Sequence, residues 1–227
     1  MEVVDTFETL SKRVLEKYVE GTPITMGILV VDYRQTDARE FILNYLDRFD
    51  KKSGKFIDFY LPGYYVGAWD VQNSCSQHPN MYIRDGMIKD RPIYLSRTNE
   101  KVCFDEKLFE HFLDEMESRM NIQYSYSPML ILIEVKKSVA RGEVEFQDKI
   151  VIDLDDGTAI SVRKSGALFE MIFEIAKRKV NLDQFGKEIR MHYFKGNATK
   201  ILSGLLKKDL VVPVIDNIEI LKKYRIK

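Results

Sequence analysis

Residues 24–31 read Ile-Thr-Met-Gly-Ile-Leu-Val-Val, and residues 55–61 read Lys-Phe-Ile-Asp-Phe-Tyr-Leu. The first stretch is an almost continuous apolar run, which is typical of a strand buried on both faces, as in a parallel sheet. The second stretch also predicts a strand, and Pro62-Gly63 closes it. Between them, apolar residues at helical spacing predict a helix over about 37–50. Strand, helix and strand with short links form a βαβ unit, so we expect the two strands to be parallel neighbours.

The alternation of helices and strands continues on both sides of this unit. Apolar spacing predicts helices over 3–18 and about 105–120, the second with Asp105 as its N-cap, and residues 129–135 predict another buried strand. This order is typical of a three-layer α/β fold with a mostly parallel sheet, and we assign it to a Rossmann-like module at residues 1–145. Periodicity is lost over about 62–103, and a long irregular segment of this kind is often a functional loop.

Residues 146–227 have a different pattern and form a second, basic α+β module. Asp155-Asp156-Gly157 lies between two β-rich runs and predicts a hairpin of residues 150–154 and 158–162. Three helices and a second hairpin are predicted after it, over about 166–179, 182–191, 197–208 and 210–221.

Residues 197–212 read Asn-Ala-Thr-Lys-Ile-Leu-Ser-Gly-Leu-Leu-Lys-Lys-Asp-Leu-Val-Val, which is similar to the third helix of a winged helix-turn-helix domain running into its wing. Together with the two predicted helices before it and the hairpin after it, the whole segment of about 166–221 resembles such a domain. In that family the third helix enters the major groove and the wing contacts the backbone. The resemblance implies basic side chains that meet phosphates. Docking on another protein subunit is the alternative, because fold does not fix function. The candidate nucleic-acid-binding residues are Lys187, Arg190, Lys195, Lys200, Lys207 and Lys208. We recognise no family for the N-terminal part.

Charge is distributed unevenly along the chain. The whole sequence has 35 Lys and Arg and 35 Asp and Glu, for a net charge of zero. Residues 163–227 hold 15 of the cations and 7 of the anions, so this part carries +8 and the first 162 residues carry −8. Such asymmetry favours a nucleic acid or an acidic protein as partner of the basic part. Its alternative role is to keep a helical segment soluble.

A ligand site is predicted where the parallel strands end, because ligands of open parallel sheets bind beyond the carboxyl ends of the strands. Asp32, Tyr33 and Arg34 follow the first strand, Gly63 and Tyr64 follow the second, and Lys136 and Lys137 follow the strand at 129–135. The irregular segment could cover this edge. We therefore expect a small anionic or nucleotide-like ligand, or a partner, at the residues Asp32, Tyr33, Arg34, Gly63, Tyr64 and Trp69. Alternatively, Asp32 and Arg34 only begin the next helix.

Two enzyme classes are alternatives to a binding protein. A nucleotide-processing hydrolase would use Asp32, Arg34 and Asp58, with the two carboxylates as the catalytic acids. A metal-dependent nuclease of the restriction-endonuclease type would use Glu134 and Lys136, with the carboxylate holding the ion and the lysine positioning water. The sequence has no Gly-x-Gly-x-x-Gly or P-loop motif, which argues against dinucleotide-binding and P-loop proteins.

Composition and cysteine content argue against membrane proteins, secreted proteins and zinc-binding proteins. The chain of 227 residues is 45% hydrophobic and 31% charged, which is typical of a soluble globular protein. It contains no apolar run near the ~20 residues of a membrane span, and its N-terminus does not resemble a secretory signal. Cys75, Cys103, His78 and His111 fit no zinc-ligand spacing, so no metal site is predicted, and the cofactor is unknown. With only two cysteines, the sequence favours a reducing cytoplasm. We expect a cytoplasmic binding or adaptor protein that does not associate with membranes.

Overall fold

The computed structural model of the chain describes residues 1–17, 24–35, 46–47, 49–66, 93–95, 100–138, 143–154, 165–189, 191 and 221–225. These residues form two sheets and several helices. The helices are α1 (Phe7–Lys17), α2 (Glu106–Met120) and α3 (Ser165–Lys177). Residues 49–52 and 182–189 are also helical. The strands are β1 (Glu2–Val4), β2 (Ile24–Val30), β3 (Asp58–Pro62), β4 (Tyr64–Val66), β5 (Ile93–Leu95), β6 (Glu100–Phe104), β7 (Met129–Ser138), β8 (Glu143–Asp153) and β9 (Leu221–Arg225).

The larger sheet has six strands in the order β1-β3-β2-β7-β8-β9. Strands β2 and β3 are parallel neighbours, as the sequence predicts, with Met26 opposite Asp58 and Ile28 opposite Tyr60. Strand β1 pairs with the other edge of β3 and is also parallel to it. The α/β class and the parallel β2–β3 pair are therefore confirmed.

The other half of the sheet is antiparallel. Strand β7 runs against β2, so that Met129 lies opposite Val30 and Val135 lies opposite Ile24. The pairs β7–β8 and β8–β9 are antiparallel as well. The prediction of a mostly parallel sheet is thus right only for β1, β3 and β2. The sequence pattern could not show that β7 runs antiparallel to β2, because an apolar run buried on both faces looks the same in either strand direction.

Helices cover both faces of the larger sheet. Neighbouring residues of a strand point to opposite faces. The ring of Phe59 contacts Phe49 and Phe173, from the helical segment at 49–52 and from α3, at centroid distances of 5.2 and 5.6 Å. Its neighbour Tyr60 lies under the ammonium group of Lys17 at the end of α1. The predicted three layers are therefore present in the described part of the chain.

The helices α1 and α2 pack together on one face. Phe7 stacks on Phe112 with ring centroids 4.6 Å apart. The backbone N–H of Phe7 also donates to the carboxylate of Glu115 at 2.9 Å, so a side chain of α2 satisfies a free donor at the start of α1. Helix α2 begins at the predicted cap, since Asp105 accepts hydrogen bonds from the backbone N–H groups of Lys107 and Leu108.

The described residues on both sides of position 145 share one sheet and one core. The boundary predicted between residues 145 and 146 falls inside β8, which pairs with β7 along most of its length. Residues 150–152 also pair with β9 on their other side. Phe169 of α3 packs on Phe49, with ring centroids 4.0 Å apart.

The helices predicted at about 166–179 and 182–191 correspond to α3 and to the helical residues 182–189. The third predicted helix, at 197–208, lies outside the described residues, as do positions 158–162 and 210–220 of the two predicted hairpins. The winged-helix resemblance therefore stays a prediction.

The segment predicted to be irregular, about 62–103, contributes most of a small second sheet. In it β4 and β5 both pair antiparallel with β6, in the order β4-β6-β5. No helix among the described residues is long and apolar enough to cross a membrane.

Gly63, between β3 and β4, is a position that only glycine fits. Its φ is +77°, and an added Cβ would lie 2.5 Å from the Cβ of Phe109. We predict that Gly63→Ala lowers the free energy of unfolding by about 2–4 kcal/mol, from left-handed strain and overpacking together. Gly54→Ala is the matched control, because Gly54 has a φ of +82° without such a contact in the described part. Urea unfolding of both variants is the measurement, and equal losses would contradict the packing argument.

Candidate functional site

The carboxyl ends of β1, β3 and β2 meet at one edge of the larger sheet because the three strands are parallel. Asp32 and Arg34 follow β2, and Gly63 follows β3. The backbone N–H of Gly63 donates to the carbonyl of Val4 at 3.1 Å, and this hydrogen bond connects the end of β1 to the residue that follows β3. The structure therefore brings the predicted residues Asp32, Arg34 and Gly63 to the same edge.

Asp32 holds Arg34 in one orientation. Asp32 is 3% exposed, and one of its oxygens accepts hydrogen bonds from the backbone N–H and from Nε of Arg34, both at 2.9 Å. The other oxygen accepts from Nη2 of Arg34 at 2.7 Å. This two-pronged contact matches the planar guanidinium to the planar carboxylate, which fixes the direction of the side chain.

Two further carboxylates, Glu106 and Glu110 of α2, reach the outer side of Arg34. Nη1 of Arg34 donates to both, at 3.1 Å in the case of Glu110. Hydrogen bonding to Asp32, with help from Glu110 and Glu106, raises the pKa of Arg34, so the guanidinium is always charged. The side chains of Glu106 and Glu110 are 59% and 56% exposed, whereas that of Asp32 is 5% exposed. Among the partners in the described part of the chain, Asp32 is a fixed inner one, and Glu106 and Glu110 are outer ones in contact with water.

Sequence reasoning missed Glu106 and Glu110. They are four residues apart in the sequence, which puts them on one face of α2. That spacing was visible, but nothing in the sequence placed this face beside residue 34.

Tyr33 and Tyr64, predicted to line the ligand site, lie inside an aromatic cluster. Both are buried, and both contact Phe104, with Tyr64 at a centroid distance of 5.2 Å. The hydroxyl of Tyr64 donates to the carbonyl of Val31 at 3.0 Å. Their rings hold the small sheet and α2 against the strand ends, so they have no free face on which a flat ligand could stack. Trp69 lies outside the described residues.

Three of the predicted residues are at the opposite edge. Because β7 is antiparallel to β2, Lys136 and Lys137 lie beyond Ile24 at the beginning of β2, and not beside Asp32. Asp58 pairs with Met26, six residues before Asp32, which is about 20 Å along a strand. The carboxylate of Asp58 accepts a hydrogen bond from Lys17 at 3.1 Å. The predicted hydrolase pair of Asp32 and Asp58 is therefore not assembled.

Glu134, the predicted nuclease carboxylate, takes part in helix capping. It lies where the register of β7 against β8 shifts between Ile133 and Val135. Its carboxylate accepts a hydrogen bond from the backbone N–H of Leu182 at 2.9 Å, at the start of the helical residues 182–189. Asn181 caps the same turn by accepting from the N–H of Gln184. The side chain of Lys136 is not described.

The capping contact predicts a structural effect of replacing Glu134. We expect Glu134→Ala to lower the free energy of unfolding by about 1–2 kcal/mol, since a backbone donor loses its charged partner. Glu117→Ala, at an exposed position of α2, should change it by less than about 0.5 kcal/mol. Denaturant unfolding followed by circular dichroism measures both. A stability of Glu134→Ala equal to or above that of the parent protein would contradict the capping role.

The described residues contain no group of three or more His, Cys, Asp or Glu side chains that could hold a metal ion. Of the cysteines and histidines considered for zinc, Cys75 and His78 lie outside the described residues. His111 lies 3.8 Å from the carboxylate of Glu115 on the surface of α2. Cys103 is buried in β6 and is disulfide-bonded. Disulfides are typical of oxidising compartments, and the cytoplasmic location stays a prediction.

The disulfide at Cys103 can be tested with the purified chain, whose sequence has one further cysteine, Cys75. We predict that alkylation under denaturing, non-reducing conditions modifies neither cysteine, and that both react after reduction. Intact-mass spectrometry counts the added groups. Two reactive thiols without a reductant, in protein purified under air, would contradict the disulfide and support the cytoplasmic prediction.

Of the predicted nucleic-acid-binding residues, Lys187 is described and exposed on the helical residues 182–189. The others, Arg190, Lys195, Lys200, Lys207 and Lys208, lie outside the described residues.

Comparisons of the chain with protein-family models, with curated proteins and with solved structures find no match. Function therefore has to be inferred from the chemistry of the site itself.

Proposed function

We propose that this chain is a binding protein that holds a small anionic ligand at Arg34. The observation that carries the proposal is the unequal set of partners around the guanidinium. Asp32 is buried and fixes the side chain, while Glu106 and Glu110 are exposed and contact only its outer side. An anion can replace exposed carboxylates at low cost, because a surface ion pair contributes about 0–1 kcal/mol.

The position of Arg34 also supports this proposal. It lies beyond the carboxyl ends of parallel strands, where open α/β sheets bind their ligands. A guanidinium that is already oriented loses less entropy on binding a phosphate or carboxylate than a mobile lysine does. In the free protein, Glu106 and Glu110 act as internal counter-ions that occupy the site.

An enzymatic function has less support than binding. The acids predicted for hydrolysis, Asp32 and Asp58, lie at opposite ends of the strands. The acid predicted for a nuclease, Glu134, is bonded to the start of a helix.

The second part of the proposed function is docking of nucleic acid or another subunit by the basic residues 163–227. Their net charge of +8 supports it. So does β9, which carries Lys222, Lys223 and Arg225 within five residues next to β8.

The anion site predicts a gain of affinity when the internal counter-ions are removed. We expect the double variant Glu106→Gln with Glu110→Gln to bind ATP and inorganic phosphate about threefold to tenfold more tightly than the parent protein. The amide side chains keep the shape of the glutamates but no longer compete for Arg34. Isothermal titration calorimetry measures both ligands.

The matched control is Asp114→Asn with Glu117→Gln, which removes two exposed charges from the same helix. It should change the affinity by less than twofold, because neither residue bonds Arg34 in the described structure. Arg34→Lys should weaken binding, since an ammonium lacks the planar fork. Absence of binding in both the parent protein and the Glu106/Glu110 variant would overturn the proposal, as would equal gains in the variant and its control.

A further inference from the structure

A surface with several cations lies at the opposite edge of the larger sheet, where β3 begins. We call it the Phe56 patch, and it consists of Lys52, Lys55, Phe56, Lys177 and Arg178. The first three residues belong to the end of the helical segment at 49–52 and the turn before β3, and the last two lie at the end of α3. The sequence analysis predicts none of these five residues as part of a functional site.

Phe56 is held at the surface by the turn that contains it. The backbone N–H of Gly54 donates to the carbonyl of Ile57 at 3.0 Å, which closes the turn around Phe56. The hydroxyl of Ser53 accepts a hydrogen bond from the N–H of Phe59 at 3.0 Å and ties the turn to β3. In this position the side chain of Phe56 is 39% exposed.

Ammonium groups surround the aromatic rings of this patch. Nζ of Lys55 and Nζ of Lys177 lie 5.3 and 5.6 Å from the centre of the Phe56 ring. Nζ of Lys52 lies 5.2 Å from the centre of the Phe173 ring beneath them. The combination of an exposed ring with flanking cations therefore comes from two chain segments, residues 52–56 and the end of α3, that are far apart in the sequence and that the fold brings together.

Among the described ion pairs, three of the four cations of the Phe56 patch have a carboxylate partner, and Arg178 pairs with Glu188. Lys52 pairs with Glu170 and Lys177 pairs with Glu174. The hydrogen bond from Lys177, with smaller effects of Lys52 and Arg178, lowers the pKa of Glu174. Lys55 has no carboxylate partner among the described ion pairs, so its charge is available to an external anion.

We infer that the Phe56 patch binds single-stranded nucleic acid. Single strands expose both the backbone phosphates and the faces of their bases, and proteins that bind them combine cationic side chains with aromatic rings on which bases stack. Lys55 and Lys177 would bind phosphates, and Phe56 would stack a base once these ammonium groups move from its ring to the backbone. The inference does not depend on the anion site at Arg34, which lies at the other edge of the sheet.

An anionic membrane fits the patch less well. Membrane-surface segments bury a continuous apolar face among the headgroups. Here one ring is exposed, it is more than half buried by its own protein, and carboxylates such as Glu170 and Glu174 stand beside it. A flexible strand can avoid these carboxylates, whereas a flat anionic surface cannot.

Fluorescence anisotropy of a labelled oligothymidylate, with the full chain at low and moderate salt, tests the inference. We expect affinity to fall steeply as salt rises, because bound phosphates release counterions. Phe56→Ala should weaken binding about fivefold or more through loss of stacking, and Phe56→Trp should retain it. Lys55→Ala should weaken binding and reduce its dependence on salt. The control is Lys107→Ala, which removes an exposed lysine from α2 and should change neither the affinity nor its dependence on salt.

Thermal unfolding of each variant shows that it is folded, and Phe56→Trp serves where Phe56→Ala does not fold. No salt-dependent binding by the parent protein would overturn the inference. So would equal effects of Lys55→Ala and Lys107→Ala, or tighter binding to vesicles of anionic phospholipid than to the oligonucleotide. If Lys200→Ala with Lys207→Ala abolishes binding and the Phe56 variants do not change it, the basic C-terminal residues are the nucleic-acid site and the Phe56 patch is not.

Discussion

The contact between Phe59 and Gly27 is the constraint on which the rest of the structure depends. The two residues are opposite each other in the parallel pair β2–β3, and the Phe59 ring occupies the space where a side chain at 27 would stand. A Cβ on Gly27 would be 2.4 Å from that ring. Because the ring occupies this space over β2, Phe49 and Phe173 can pack on it from two helical segments. One missing side chain thus permits the aromatic layer on this face of the sheet.

The same register determines where charges lie. With β2 and β3 parallel, Asp32 and Gly63 emerge at one edge, and the turn before β3, with Phe56, lies at the other. Helix α2 carries Glu106 and Glu110 to the first edge, and α3 ends at the second with Lys177 and Arg178. The two candidate surfaces consequently differ in what is exposed: at the first, the described carboxylates Asp32, Glu106 and Glu110 surround Arg34, and at the second, ammonium groups lie over the exposed ring of Phe56.

The sequence predicts the elements of this fold better than their directions and contacts. The apolar run at 24–31 and the cap at Asp105 carry local signals and were located correctly, whereas the strand predicted at 55–61 begins three residues later, at Asp58. The direction of β7 has no local signal, because its link from β3 passes through the small sheet and α2. Because β7 is antiparallel to β2, Lys136 and Lys137 lie at the edge of the sheet opposite Asp32. At the candidate site, Arg34 could be predicted from its position after β2. Its outer partners could not, because they depend on how α2 is placed by the packing of Phe104 and Phe109.

The position of β9 has a consequence for how the chain is made. Strand β8 pairs on one side with β7, which precedes it directly, and on the other with residues 221–225, about 70 positions later. During synthesis, the outer edge of β8, with Ile150 and Ile152, therefore emerges from the ribosome well before its partner. An exposed strand edge of this kind is a template for pairing with other chains. The time between translation of these two segments is consequently the interval in which the nascent protein is most prone to aggregate.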